Sequence, residues 1–308
     1  MEQQETLLEV KDLRQYFRLK GRRTLKAVDG VSFTIRRGET YGLVGESGSG
    51  KTTIGRALIR IYQPTGGSVM FNGREISGRL SPAERKQLTQ QMQMVFQDPQ
   101  ASLNPHKRVI DIIGQGLDNH HLYANRAERD EKVFSIMERV GLDREQAYRY
   151  PHQFSGGQRQ RIGIARAFVV NPDMVIADEA ISALDVSVQA QVVNLMKDLQ
   201  QELGTTYLFI AHDLAMVKYI SDKIGVLHLG HLVETGTRDE IFGHPVHPYT
   251  RSLLSAIPAT DPDTERGRVA LHYDYQESGI DYTKGTARHI GGEHYVLATE
   301  EELRSWMA

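Results

Sequence analysis

The chain has 308 residues, 40% apolar and 25% charged, with 37 Lys and Arg against 39 Asp and Glu and a formal net charge of −2. That is the composition of an ordinary globular chain with one large domain or two modest ones, and it lacks the basic excess that marks nucleic-acid binding. The chain has no cysteine, which excludes disulfides and thiolate metal sites; no apolar run of about 18 residues could span a membrane, and the acidic, polar start Met1-Glu2-Gln3-Gln4-Glu5 is unlike a signal peptide.

In chain order, Leu7 to Val10 and Val31 to Ile35 read as strands, the second by alternation of Val31, Phe33 and Ile35 with Ser32 and Thr34. After the turn Arg36-Arg37-Gly38-Glu39, Tyr41-Gly42-Leu43-Val44 reads as a buried strand. It runs into Gly45-Glu46-Ser47-Gly48-Ser49-Gly50-Lys51-Thr52-Thr53, which has the G-x-x-x-x-G-K-[ST] spacing of a phosphate-binding loop. The glycines let backbone N–H groups curl around phosphate oxygens, and the following helix adds its dipole. That helix is predicted over Thr53 to Ile61, with Ile54, Ala57, Leu58 and Ile61 on one face. Lys51 is placed to reach β/γ-phosphates and the Thr52 hydroxyl to ligate Mg²⁺. This much points to a nucleoside triphosphate without saying what its energy is used for.

Residues 63–76 read as a turn and an edge hairpin, and Ser81-Pro82-Ala83-Glu84 opens a helix to about Met92. Residues 98–152 turn polar and helical, with one clear amphipathic segment at Val133, Ile136, Met137 and Val140, stopped by Gly141. A β/α rhythm then returns: strand Val175 to Ala177, helix Val188 to Leu203, and strands Thr206 to Ala211, Ile224 to Leu229 and Leu232 to Glu234. From about Gly243 the periodicity weakens, and residues 258–308 read as a separate polar extension.

Two acids, Asp178 and Glu179, follow the apolar strand Met174 to Ala177. Beside a phosphate loop they would hold Mg²⁺ and orient an attacking water, respectively; alone they could equally be two surface acids. Ser155 and Gln158 of Phe154-Ser155-Gly156-Gly157-Gln158-Arg159 form an S-x-x-Q capping box opening a helix to about Val170. Here the sequence resembles the ATP-binding cassette (ABC) ATPases, whose signature is LSGGQ. The resemblance covers about residues 6–245. Val95-Phe96-Gln97-Asp98-Pro99 resembles the family's Q-loop, Ser182-Ala183-Leu184-Asp185 its D-loop, and Ile210-Ala211-His212-Asp213 its switch region.

The resemblance implies an α/β fold: a P-loop, RecA-like core with an antiparallel β subdomain, an inserted helical subdomain at about 98–165, and a C-terminal extension at 246–308 beyond a nucleotide-binding domain at 1–245. It implies ATP and Mg²⁺ as ligands. The nucleotide would be held by Gly45, Ser47, Gly48, Ser49, Gly50, Lys51, Thr52 and Thr53, with Tyr16 or Phe17 stacked on adenine. The metal would be held by Thr52, Gln97 and Asp178. Glu179, Gln97 and His212 would be catalytic, and Ser155, Gly156, Gly157 and Gln158 would act in trans on the partner's nucleotide, with Asp185 communicating between sites. One position departs from the pattern: Ala180 stands where the family has proline, which implies a looser loop after the base.

Gln97-Asp98-Pro99-Gln100-Ala101-Ser102-Leu103-Asn104-Pro105 and His247-Pro248-Tyr249-Thr250 resemble stretches of the oligopeptide/dipeptide importer branch. The wording of the D-loop region and the tail Tyr295 to Glu300 are most similar to the F-type ATPases of Gram-positive oligopeptide permeases. That branch implies a second, D-type ABC ATPase as heterodimer partner, two transmembrane permease subunits, an extracellular or periplasmic peptide-binding protein, and a peripheral place on the cytoplasmic face of the membrane. A short helix of a permease subunit would dock near Gln97 to Ile113. A soluble non-transport ABC ATPase, or import of dipeptides, nickel or glutathione, stays open at this level. His120-His121, His244/His247 and His289/His294 have no carboxylates at ligand spacing, which speaks against a metal site there.

Overall fold

The structure is a computed structural model and describes residues 5–182, 184–257 and 270–308. Ala183 of the D-loop stretch and residues 258–269 of the extension lie outside the described residues. Two sheets organise the described residues. The smaller is antiparallel, ordered β2 (Thr24–Arg36), β1 (Thr6–Arg18), β4 (Gly66–Phe71) and β5 (Arg74–Glu75). The larger, with eight strands, begins at β11 (Thr286–Gly291), β12 (His294–Ala298), β10 (His231–Thr237) and β9 (Lys223–His228), and continues through β3 (Thr40–Val44), β8 (Thr206–Ile210), β7 (Met174–Asp178) and β6 (Met92–Val95). From β9 to β6 all pairs are parallel; the other three strands join antiparallel.

The parallel strands are largely apolar, as strands buried on both faces are. Period-2 alternation deals their side chains to two cores. Tyr41, Leu43, Met174, Ile176, Leu208 and Ile210 pack toward the antiparallel sheet, against Leu8, Val10, Val31 and Ile35. Val44, Val175, Ala177, Tyr207, Phe209 and Val226 pack toward the helices.

Helices α1 (Lys51–Leu58) and α2 (Pro82–Gln91) send Ile54, Leu58 and Leu88 to the first core, whereas the second is built with an insertion of α3 (Pro99–Ser102), α4 (Val109–His120), α5 (Arg126–Arg139) and α6 (Gly156–Phe168). Ser81 and Glu84 cap α2 reciprocally, and α5 gives way to a left-handed Gly141. The sequence reading missed the amphipathic face of α4, where Val109, Ile110, Ile112, Ile113 and Leu117 are buried. Its glycines obscure the pattern. A Cβ on Gly114 would overlap the Arg129 guanidinium, which bonds Asp118 through two nitrogens at 2.6 and 2.8 Å. After β7 come α7 (Val186–Leu203), α8 (Leu214–Ile220), α9 (Arg238–Gly243), α10 (Pro248–Ser255) and α11 (Glu300–Met307). Among the described residues no helix is long and apolar enough to cross a membrane.

The described part of the extension, residues 270–308, does not stand apart from the core, although its weak periodicity suggested a separate unit. The β11–β12 hairpin prolongs the large sheet, pairing Val296 with Glu234 and Tyr295 with Thr235 of β10. The buried Glu234 carboxylate accepts the amides of Val246 (2.8 Å) and His247 (3.0 Å) and faces His294 Nε2 at 2.7 Å. One acid thus ties the sheet, the start of α10 and the hairpin together.

His247 is fully buried and its Nδ1 accepts the Tyr249 amide at 3.1 Å. Burial holds its pKa down at about 3, and burial together with His231 holds His228 at about 4. Both rings are neutral when folded and take a proton near pH 6.5 when unfolded. The contribution is therefore complete above pH 6.5 and is lost as pH falls toward 3 to 4. We expect stability to drop between pH 7 and pH 5, with His247 alone costing about 2 kcal/mol. Urea midpoints at the two pH values check this, and the drop should shrink in His247→Asn, which keeps an acceptor for the Tyr249 amide.

Candidate nucleotide site

The phosphate loop leaves the C-terminal end of β3, and the chemistry-bearing residues follow the ends of the strands beside it. Register sets their level: Leu43 pairs with Ile210, and Ile210 pairs with Asp178. The residues one or two steps further, Gly45, His212 and Glu179, therefore cluster outside the carboxyl ends of parallel strands, where open α/β sheets bind ligands.

Two glycines shape the loop. Gly45 has φ of +149° and Gly50 φ of +111°; a Cβ would overlap the Leu227 carbonyl oxygen at the first and the Ala27 carbonyl oxygen at the second. Gly50 caps α1 without a side chain, so the helix presents bare N–H groups to an anion. Ser47 and Gly48 are exposed, whereas Ser49 is buried and its carbonyl accepts the Gly230 amide at 2.9 Å. Lys51 is 4% exposed, and its ammonium lies back on the loop, donating to Gly45 O at 2.7 Å and Glu46 O at 2.8 Å. Burial lowers its pKa, against the pull of Glu179, Asp178 and Glu46.

Asp178 ends β7 almost fully buried, and burial raises its pKa. The Thr52 hydroxyl donates to its Oδ1 at 2.8 Å. A hydroxyl and a carboxylate held together are the hard oxygen donors that suit Mg²⁺. Glu179 turns away with φ of +48°. Its Oε2 accepts Gln97 Nε2 at 2.8 Å and lies 3.7 Å from His212 Nδ1. The expected looseness after Glu179 is countered: its amide donates to Ile210 O at 2.9 Å, and its carbonyl accepts both the Ser182 amide (3.1 Å) and hydroxyl (3.0 Å). Ala180, which follows this left-handed residue, is buried.

The structure thus brings together the loop, Thr52, Asp178, Glu179, Gln97 and His212. It places the other sequence candidates elsewhere. Ser155 and Gln158 form the expected capping box on α6, with the Gln158 amide to Ser155 Oγ at 3.3 Å and the Ser155 amide to Gln158 Oε1 at 3.0 Å. Gly156 lies beside Leu184 and Gly157 beside Val188, at the start of α7. Asp185 caps α7, accepting the Val188 amide at 3.0 Å. Tyr16 and Phe17 are adjacent on β1, and they are committed differently. The Tyr16 hydroxyl is bonded to Asp29 and Lys26 lies over its ring, whereas Phe17 makes only an edge contact with Tyr62 among ring partners of the described residues.

One contact was not foreseen. The Tyr249 hydroxyl accepts the Glu46 amide of the loop at 3.0 Å. Tyr249 is 2% exposed and burial pushes its pKa up to about 12. The only signal was the HPYT stretch, which says nothing of where its tyrosine points.

A glycine-shaped anion loop, a buried lysine and a strand-end acid beside a threonine hydroxyl define a P-loop nucleotide-binding ATPase. Comparison with known proteins takes the class further. Residues 28–182 match the family described as ABC transporter, and residues 233–278 match the oligopeptide/dipeptide transporter, C-terminal region. The chain is 56% identical over 303 residues to the oligopeptide transport ATP-binding protein OppF of Bacillus subtilis, covering 98% of this chain and 99% of that one. It is 51% identical over 304 residues to the dipeptide transport ATP-binding protein DppF of Lactococcus lactis, with 98% and 97% covered. Among solved structures, the dimeric post-hydrolysis state of the ATP-binding cassette MJ0796 with ADP and Pi superposes at a TM-score of 0.69 and 26% identity, covering 75% of this chain and 99% of that one. The chain belongs to the ABC transporter family of ATPases, in its oligopeptide/dipeptide branch.

Proposed function

We propose that this chain is the ATP-hydrolysing subunit of an importer that carries oligopeptides across the cytoplasmic membrane. The observation that carries the reading is the convergence of Lys51, Thr52, Asp178, Glu179, Gln97 and His212 at one end of the sheet, in a chain alike over its whole length to oligopeptide transport ATP-binding proteins. Bound phosphates compete with the loop carbonyls for Lys51, and the bare amides of Gly50 to Thr53 receive phosphate oxygens. Thr52, Asp178 and Gln97 would hold Mg²⁺, which would supply neutralisation of phosphate charge. The Glu179 carboxylate orients a water and takes its proton, with Gln97 and His212 fixing its direction. Phe17, the less committed ring, stacks on adenine.

The signature residues work on the nucleotide of a second, D-type ABC ATPase. Capping does not prevent this. Ser155 Oγ accepts an amide yet keeps its own O–H to donate, and Gln158 keeps its NH₂. Closure of the pair follows from the tighter binding of ATP by the closed state, and two permease subunits and a peptide-binding protein complete the assembly. The chain acts peripherally on the cytoplasmic face.

Tagging the chain and solubilising native membranes in mild detergent tests this. Two multi-spanning permeases and a second ABC ATPase should co-purify, and the ligand of the accompanying binding protein separates oligopeptide from dipeptide cargo. Recovery of ribosomes or DNA, or of no membrane subunit, would overturn the importer reading.

A further inference from the structure

We propose that Tyr249, from outside the P-loop core, is a positioning residue for the phosphate loop and acts on Lys51 through a single peptide plane. The proposal rests on reading residues 45–53 as the nucleotide loop. The Glu46 N–H and the Gly45 C=O belong to one peptide unit, which is planar and trans. The N–H donates to Tyr249 Oη at 3.0 Å, and the carbonyl accepts Lys51 Nζ at 2.7 Å. Fixing one end of that plane fixes the other, and so sets where the lysine ammonium rests before nucleotide arrives.

The tyrosine can serve as a peg because it is itself immobilised. Its ring stacks on His228 with centroids 4.0 Å apart and meets Tyr273 edge-on at 5.6 Å. His228 is held in turn by the Tyr282 hydroxyl at 2.6 Å. The helix carrying Tyr249 is anchored just before its first turn by the Glu234 carboxylate, which accepts the amides of Val246 and His247. Glu46 has its own side chain in solvent, so among the described residues the peg is what orients its amide. Tyr273 and Tyr282 come from the C-terminal region, which therefore buttresses the loop through an aromatic stack.

The test measures the Kd of the full chain for a fluorescent ATP analogue, together with its melting temperature without nucleotide. Tyr249→Phe keeps the ring and removes the oxygen. It should weaken nucleotide binding about fivefold, equivalent to about 1 kcal/mol. Tyr219→Phe removes a hydroxyl bonded to Asn194 at 2.8 Å, outside this stack, and should leave Kd unchanged. An unaltered Kd in Tyr249→Phe, or an equal weakening in both variants, overturns the proposal. Lys51→Ala serves as the reference: if it too binds normally, it is the loop assignment that fails. In the unsubstituted chain, hydrogen exchange should find the Glu46 amide protected without nucleotide, and fast exchange there would sink the idea even were the variants to misfold.

Discussion

Replacing Glu179 by Gln should leave nucleotide binding intact and slow hydrolysis at the site built on this chain's loop by about two to four orders of magnitude, the range a positioned general base supplies. The substitution is nearly isosteric. The amide oxygen can still accept the Gln97 Nε2 hydrogen bond seen at 2.8 Å, so the pocket keeps its shape. What disappears is the capacity to take a proton from water. The variant should therefore retain ATP uncleaved, read as nucleotide bound per chain after gel filtration beside a phosphate-release rate. Normal turnover at that site would remove Glu179 from the role of base and shift attention to His212, which lies 3.7 Å from it.

Lys51→Ala should act earlier, on binding. Its ammonium makes charge-assisted hydrogen bonds to the loop and would exchange them for phosphate oxygens. A hydrogen bond to a charged group contributes about 1.5–3 kcal/mol, so the upper end of that range, for one retained contact, weakens ATP binding about a hundredfold. The same change leaves the Gly45 and Glu46 carbonyls without the partner they have at 2.7 and 2.8 Å. Titration of a fluorescent nucleotide reads the affinity directly. The two variants separate cleanly: Glu179→Gln holds nucleotide without cleaving it, and Lys51→Ala fails to hold it.

The parts of this molecule that were legible in its sequence are those whose cause is local. The phosphate loop is legible because only glycine fits at 45 and 50, and the strand ends because the parallel strands of the large sheet are mostly buried and read largely as apolar runs. Ser81 and Ser155 were recognisable as helix caps because a cap needs only the residue three positions on. Legibility failed where partners are distant or where glycine breaks a pattern. β1 and β2 each run 13 residues, longer than their alternation suggested, because bulges shift the register between Val10 and Arg14 and scramble the period. The face of α4 was hidden by Gly114 and Gly116. The attachment of β12 to β10 depends on pairing across some sixty positions, and the bond from Tyr249 to Glu46 spans 203. Neither leaves a mark on its immediate neighbours.

The two acids at the end of β7 differ in mechanical standing, although they are consecutive. Asp178 is the last residue of a strand gripped by both cores, with Ile176 in one layer and Ala177 in the other. Glu179 lies one step past that grip, in a left-handed turn, with its carboxylate shared between Gln97 on the strand-end loop after β6 and His212 after β8. A shift of either loop is felt first by Glu179, while Asp178 stays where the sheet puts it. The boundary between them is a pivot: a fixed carboxylate on the Thr52 side and an adjustable one beside it, so the alignment of the second can change without disturbing the first.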